Sequence, residues 1–242
     1  MHSKLGDRMV QITFHSASQY RSAPQEYGIY AWYYLPNFND ADADELIEKI
    51  QKAENKKKIE IAKAWLVENY YKKYWLFLDS GREPEQELTV KENWMNITPS
   101  IRITAKAARY PNIGDDLPKL MCDDENFLRQ YLENLGSSNS LPFLSPIYIG
   151  MAKKGESHIQ KRLGTHLKEL SQAEKLPKKT LEERFKPGSS TGKFANRAAI
   201  AGIDSTQLWF ATFPVRDTEH DNMPDKLENL FNRLTTPSLG SN

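Results

Sequence analysis

Three short runs of apolar and aromatic residues along the chain predict β-strands. The first, Tyr27–Leu35, is rich in aromatic residues and ends at Pro36, and the second, Pro146–Met151, follows a loop rich in Ser and Pro. The third, Leu208–Val215, is apolar at successive positions, as expected of a central strand buried on both faces. We therefore expect a sheet built from segments that lie far apart in the chain.

Apolar residues at helical spacing predict the helices between these strands. The clearest helix is 157–173, in which Ile159, Leu163, Leu167 and Leu170 form one apolar stripe. The same spacing predicts two helices within the charged segment 40–71 and single helices at 123–135, 194–203 and 222–234. Between the first two strands, Tyr74–Leu78 and parts of 87–107 also favour strand.

Composition narrows the class of protein. The chain has 242 residues, of which 39% are hydrophobic, enough for a substantial core. A single cysteine, Cys122, excludes an internal disulfide framework and suits a reducing cytoplasm. No apolar run approaches the ~20 residues of a membrane-spanning helix, and the first residues lack the pattern of a secretory signal. We therefore expect a cytoplasmic protein with no membrane partner.

Charge is distributed unevenly although the net charge is only +1. Residues 151–198 hold 12 Lys or Arg against 5 Glu, whereas residues 31–147 hold 15 Lys or Arg against 19 Asp or Glu. A basic block in an otherwise neutral protein indicates contact with a polyanion. The alternative is a solvated, lysine-rich helix and loop.

Two tripeptides in the predicted strands, Gly28–Tyr30 and Tyr148–Gly150, each place a tyrosine close to a glycine. If the two strands pair, the two phenols converge where a bare backbone lets a substrate approach closely. On the next helix, Arg162 and His166 are four residues apart and lie at the edge of the apolar stripe. Such a half-sheltered position suits a cation that binds phosphate.

Two more candidates follow near the end of the chain. Glu228 lies at the edge of the apolar face of the last helix and is a plausible single carboxylate for a hard divalent ion, and Asn242 is the final residue. Taken singly, each of these residues has an ordinary explanation: core tyrosines, an exposed Arg–His pair, a solvated glutamate and a frayed terminus. Their ordered combination favours a functional site.

This order of motifs resembles the GIY-YIG nuclease family over residues 27–36 and 146–242. The family includes homing endonucleases, a subunit of a nucleotide-excision-repair nuclease and some type II restriction enzymes. The resemblance implies an α+β fold with a small three-stranded, antiparallel-type sheet flanked by helices, and a large mixed α/β insertion between the first two core strands. It divides the chain into an N-terminal arm and first core strand (1–36), an insertion subdomain (37–145) and the remainder of the nuclease core (146–242). An insertion of this size adds little closure entropy, which grows with the logarithm of loop length.

The resemblance also implies a division of roles in phosphodiester hydrolysis. It assigns catalytic roles to Tyr30, Tyr148, Arg162, His166 and Asn242. Tyr30 would take the proton of the attacking water with help from a cation or His166, and Tyr148 would position by hydrogen bonding. Arg162 would bind the non-bridging oxygens as negative charge builds. Glu228 would hold one Mg²⁺ (or Mn²⁺) per active site.

The basic block would then face the DNA backbone. Its predicted phosphate contacts are Lys153, Lys154, Lys161, Lys168, Lys178, Lys179, Lys186, Lys193 and Arg197. The segment Gly188–Lys193 lacks the spacing of a nucleotide-binding P-loop, so we expect no nucleotide cofactor.

We therefore predict a metal-dependent DNA endonuclease of restriction or other defence type. A single active site cuts one strand, so a double-strand break would need a homodimer or two successive visits. The alternative is a catalytically silent nucleic-acid-binding or assembly module that retains the nuclease fold. An unrelated α+β protein in which the tripeptides coincide by chance is a third hypothesis.

Overall fold

The computed structural model describes residues 12–71, 73, 114–144, 146–177, 180–181 and 193–215, and the backbone of two short strands at 87–89 and 100–102. The predictions of a strand at Tyr74–Leu78 and of a last helix at 222–234 lie outside the described residues, as does most of the basic linker.

The main sheet contains four antiparallel strands in the spatial order β1-β6-β2-β5. The strands are β1 (Phe14–Ser16), β2 (Gly28–Tyr34), β3 (Glu87–Thr89), β4 (Ser100–Arg102), β5 (Tyr148–Ala152) and β6 (Leu208–Pro214), with β3 and β4 forming a separate antiparallel pair. The predicted α+β class is confirmed. The sheet has one strand more than predicted because β1, only three residues long, carries no apolar pattern of its own.

The register of β2 places the two motif strands side by side. Tyr30 is opposite Gly150, and Trp32 is opposite Tyr148. Just beyond the strand end, the backbone N–H of Ile147 donates to the carbonyl of Trp32 at 2.8 Å. The pairing of two strands separated by the whole insertion, on which the sequence argument depends, is therefore observed.

Five of the six described helices were predicted from the apolar spacing, and the helix at Asp116–Asp123 was not. They are α1 (Asp40–Lys52), α2 (Asn55–Leu66), α3 (Asp116–Asp123), α4 (Glu125–Gly136), α5 (Ile159–Ala173) and α6 (Lys193–Ile200). The side chain of Asn39 caps α1, and that of Asp124 caps α4, by accepting backbone N–H bonds from the first turn. Among the described residues, we find no helix with the length and apolar character to cross a membrane.

Two apolar cores are present among the described residues, and Tyr70 of the insertion is buried in the first of them. The first fills the space between one face of the sheet and helices α5 and α6, and it includes Tyr30, Trp32, Leu163 and Phe194. The second joins α1, α2, α3 and α4, and all of its buried members fall within residues 37–145. The predicted insertion therefore has an apolar core of its own.

Candidate active site

Helix α5 carries two of the predicted site residues and is fixed against the sheet at its beginning. The side chain of His158 caps the helix by accepting the backbone N–H of Lys161, and the N–H of Ile159 donates to the carbonyl of Glu26 at 2.9 Å. The fully buried side chains of Ile159 and Leu163 pack toward the sheet. This packing sets the face of α5 that carries the functional residues against β2 and β5.

Four of the predicted catalytic residues come together here: Tyr30, Tyr148, Arg162 and His166. The ring centroids of Tyr30 and Tyr148 are 6.3 Å apart, and those of His166 lie 5.5 Å from Tyr30 and 5.2 Å from Tyr148. The Nε2 atom of His166 is 3.4 Å from the phenol oxygen of Tyr30. Residues from two strands and one helix thus form a single polar cluster that is surrounded by aromatic rings.

The motif glycines make room for other atoms of the protein: side chains at Gly150 and backbone at Gly28. A Cβ at position 150 would lie 2.5 Å from Tyr30 Oη and 2.7 Å from Tyr148 Cε1, closer than real Cβ contacts allow. Gly28 has a φ of +149°, and a Cβ there would collide with the backbone of Phe213 and Pro214. We expected the glycines to admit substrate, but the space at Gly150 is taken by Tyr30.

Two aromatic residues of the site were not identified from the sequence. The indole Nε1 of Trp32 donates to His166 Nδ1 at 3.1 Å, and the Phe194 ring stacks on His166 with centroids 5.0 Å apart. Trp32 lies two positions after Tyr30, so strand alternation places both on one sheet face and could have revealed it. No local signal marks Phe194, because its position depends on where α6 packs.

His166 is more deeply buried than its place at the edge of the helix stripe predicted. Only 6% of its surface is exposed. Burial, together with the adjacent Arg162 charge, lowers the pKa of His166 to about 3. The imidazole is therefore neutral near pH 7, and it does not act as the half-sheltered cation that we expected.

Arg162 supplies the positive charge of the site. Burial lowers the pKa of its guanidinium, but the phenols of Tyr30 and Tyr148 outweigh this effect and the net pKa is raised. Its Nε atom is buried and has no hydrogen-bond partner within the described part of the chain. A buried N–H without a partner is costly, and an anionic oxygen would satisfy it.

Tyr30 is a neutral phenol in this environment. The residue has no exposed surface. Burial first, and then the neighbouring Tyr148, raise its pKa well above 10, while Arg162 opposes the rise. Tyr148 is half-buried and is the more accessible of the two phenols.

The predicted DNA-contacting residues divide into three groups. Four are exposed: Lys153, Lys154, Lys161 and Lys168. Arg197 is half-buried on α6, which begins at Lys193. The linker lysines (Lys178, Lys179 and Lys186), with Glu228 and Asn242, lie outside the described residues.

An open cleft of about 840 Å³ lies beside the start of α5. It is lined by Tyr27, Lys154, His158 and Lys161, among others. His158, which lines the cleft, precedes Arg162 by one helical turn. Two exposed lysines and two exposed carboxylates, Glu26 and Glu156, line the cleft.

The side chains of the polar cluster suit an anion better than a metal ion. Within the described ranges, no three His, Cys, Asp or Glu side chains cluster as a metal site would require. The cluster offers a guanidinium, two phenols and a neutral imidazole that is hydrogen-bonded at both nitrogens. The predicted Mg²⁺ ligand, Glu228, lies outside the described residues.

Comparisons of the chain with models of protein families, with curated proteins and with solved structures found no match.

Proposed function

We propose that the protein is a GIY-YIG-type endonuclease that hydrolyses DNA phosphodiester bonds with one divalent cation per active site. The observation that carries the proposal is the convergence of Tyr30 and Tyr148, on two strands that pair across an insertion of more than a hundred residues, with Arg162 on helix α5. Arg162 is half-buried beside both phenols, which places a permanent positive charge within the cluster.

Arg162 is the proposed phosphate ligand. Its charge is held at the edge of a low-dielectric cluster, where an interaction with a non-bridging oxygen is stronger than in water. Lys154 and Lys161 in the adjacent cleft would contact neighbouring backbone phosphates, as would the linker lysines. These contacts position the DNA without reading its sequence.

Tyr30 is the proposed proton acceptor for the attacking water, and the more accessible Tyr148 positions the phosphate or water. In the free protein Tyr30 is protonated, so deprotonation must be favoured by positive charge that arrives with the substrate complex. A cation held by Glu228 would provide this charge, in addition to Arg162, which already lowers the pKa of Tyr30 in the free protein. When bound, Mg²⁺ or Mn²⁺ would also polarise the scissile phosphate.

A restriction or other defence role, a homodimer for double-strand cleavage and a cytoplasmic location complete the proposal. The family resemblance supports the defence role, and the single set of site residues supports the homodimer. The lone cysteine supports the cytoplasmic location.

One observation favours a second function, a catalytically silent nucleic-acid-binding or assembly module. Tyr30 has no exposed surface and a raised pKa, which is unfavourable for a base. In such a module the exposed lysines of residues 151–198 would bind nucleic acid and the tyrosine cluster would serve only packing.

A plasmid-nicking assay distinguishes the two functions. We expect nicking by wild type with Mg²⁺ or Mn²⁺, none with EDTA, and a loss of about 100-fold or more in Arg162→Ala and Glu228→Ala. Arg129→Ala is the matched control, because Arg129 lies on α4 and pairs with Asp44 on α1. Nicking without metal, or full activity of Glu228→Ala, would refute the proposed site. Wild type that binds DNA but never cuts it would favour the binding module.

A further inference from the structure

We propose that Trp32 is a positioning residue that fixes the proton of His166 on Nε2, so that His166 donates a hydrogen bond to the Tyr30 oxygen rather than accepting one. The inference deepens the proposed nuclease function and, in its kinetic part, rests on it.

The argument begins with the chemistry of the indole group. An indole N–H can only donate, so the lone pair of His166 Nδ1 must face Trp32 across the 3.1 Å contact. A neutral imidazole carries one N–H, which is then on Nε2. Because Nε2 lies 3.4 Å from Tyr30 Oη, this N–H points to the phenol oxygen.

The surrounding rings hold Trp32 in this orientation. The residue has no exposed surface, and its ring stacks on Phe194 with an interplanar angle of 16° and meets Phe210 edge-on. Rotation of the indole would break these contacts inside a packed core. Trp32 therefore does not touch DNA and can act only through His166.

The arrangement restricts what His166 can do. Around the ring lie the phenols of Tyr30 and Tyr148, the guanidinium of Arg162 and the indole N–H of Trp32. A proton on Nδ1 would point at the indole N–H of Trp32, so two hydrogen-bond donors would face each other. His166 therefore cannot remove the Tyr30 proton through Nε2, and instead stabilises negative charge on the phenol oxygen as a neutral donor.

Nitrogen-15 NMR of the histidine rings tests the inference without any catalysis. In wild type we expect His166 to show a protonated Nε2 and an unprotonated Nδ1, unchanged between pH 5 and pH 8. His166→Gln identifies the signal by its loss. A protonated Nδ1 or a doubly protonated ring at pH 7 would overturn the inference with no further variant needed.

Trp32→Phe tests the role of the indole, because it removes the N–H and keeps an aromatic ring. We expect the Nε2–H tautomer to lose its dominance and kcat for nicking to fall about tenfold or more, with KM unchanged. Trp65→Phe is the matched control: Trp65 is also buried, but it belongs to the core of the insertion. We expect it to change neither the His166 signals nor kcat. A Trp32→Phe protein with a wild-type tautomer and kcat would contradict the proposal.

His166 variants give an independent measurement. Glutamine can place its amide N–H near the former Nε2, whereas asparagine reaches only the region of Nδ1. We expect His166→Gln to retain more activity than His166→Asn, and the reverse order would overturn the donor role. If wild type does not cut DNA, the proposed function fails, while the NMR measurement still decides the tautomer.

Discussion

The buried His166 predicts how stability should change with pH. An unfolded chain has a histidine pKa of about 6.5, whereas the folded protein has a pKa of about 3 at this position. Because the folded pKa is depressed, the stabilisation is fully present above pH 6.5 and is lost as the pH falls toward 3. In that window the unfolded state binds about one proton more than the folded state.

The magnitude follows from proton linkage. The free energy of unfolding falls by about 1.4 kcal/mol for each pH unit below 6.5, so His166 should account for a loss of about 2 kcal/mol between pH 7 and pH 5. Other groups also titrate in this range. The difference between wild type and His166→Gln removes their contribution, because they are common to both proteins.

Urea unfolding at constant ionic strength, followed by tryptophan fluorescence, measures this difference. We expect the stability of wild type relative to His166→Gln to fall by about 2 kcal/mol from pH 7 to pH 5. Ile50→Val, in the core of the insertion, changes no titratable group and is the control, so its difference from wild type should stay constant. A pH-independent difference for His166→Gln would refute the assignment of a buried neutral histidine.

Three further predictions concern catalysis and binding. If Tyr30 is the base, its raised pKa predicts that log kcat for nicking rises with pH without reaching a plateau below pH 9, whereas a histidine base with a pKa of about 3 would give a flat profile above pH 5. Gly150→Ala should destabilise the protein by about 1–3 kcal/mol and abolish nicking, as measured by urea unfolding and the plasmid assay, because its Cβ would meet both phenols. Gly114→Ala has open space around its Cβ, so it should behave as wild type; equal effects would show that the crowding argument is wrong. Charge reversal of the linker lysines should weaken DNA affinity and lower its salt dependence, and an unchanged salt slope would place the DNA contact elsewhere.

Within the polar cluster, only the Arg162–His166 pair could be predicted from local spacing, whereas the meeting of Tyr30 and Tyr148 was expected from the order of the motifs. Arg162 and His166 share a helix face by their four-residue separation, and strand pairing brings Tyr30 to Gly150. The same alternation makes Trp32 predictable in principle. The depth of His166 was not predictable, since it depends on Phe194 and therefore on how α6 packs against α5. The strand β1 was missed because its three residues show no apolar pattern. It is recognised as a strand only by its pairing with β6.

The hydrogen bond between Ile147 N–H and the Trp32 carbonyl has a consequence for how such a protein can diversify. It holds the end of the long segment 37–145 beside the strand from which the segment began. The two ends of the segment are therefore held as closely as those of a hairpin loop, whatever lies between them. A chimaera that carries a short β-turn in place of this segment should keep the strand register, although it would lose Tyr70 from the core beneath the sheet.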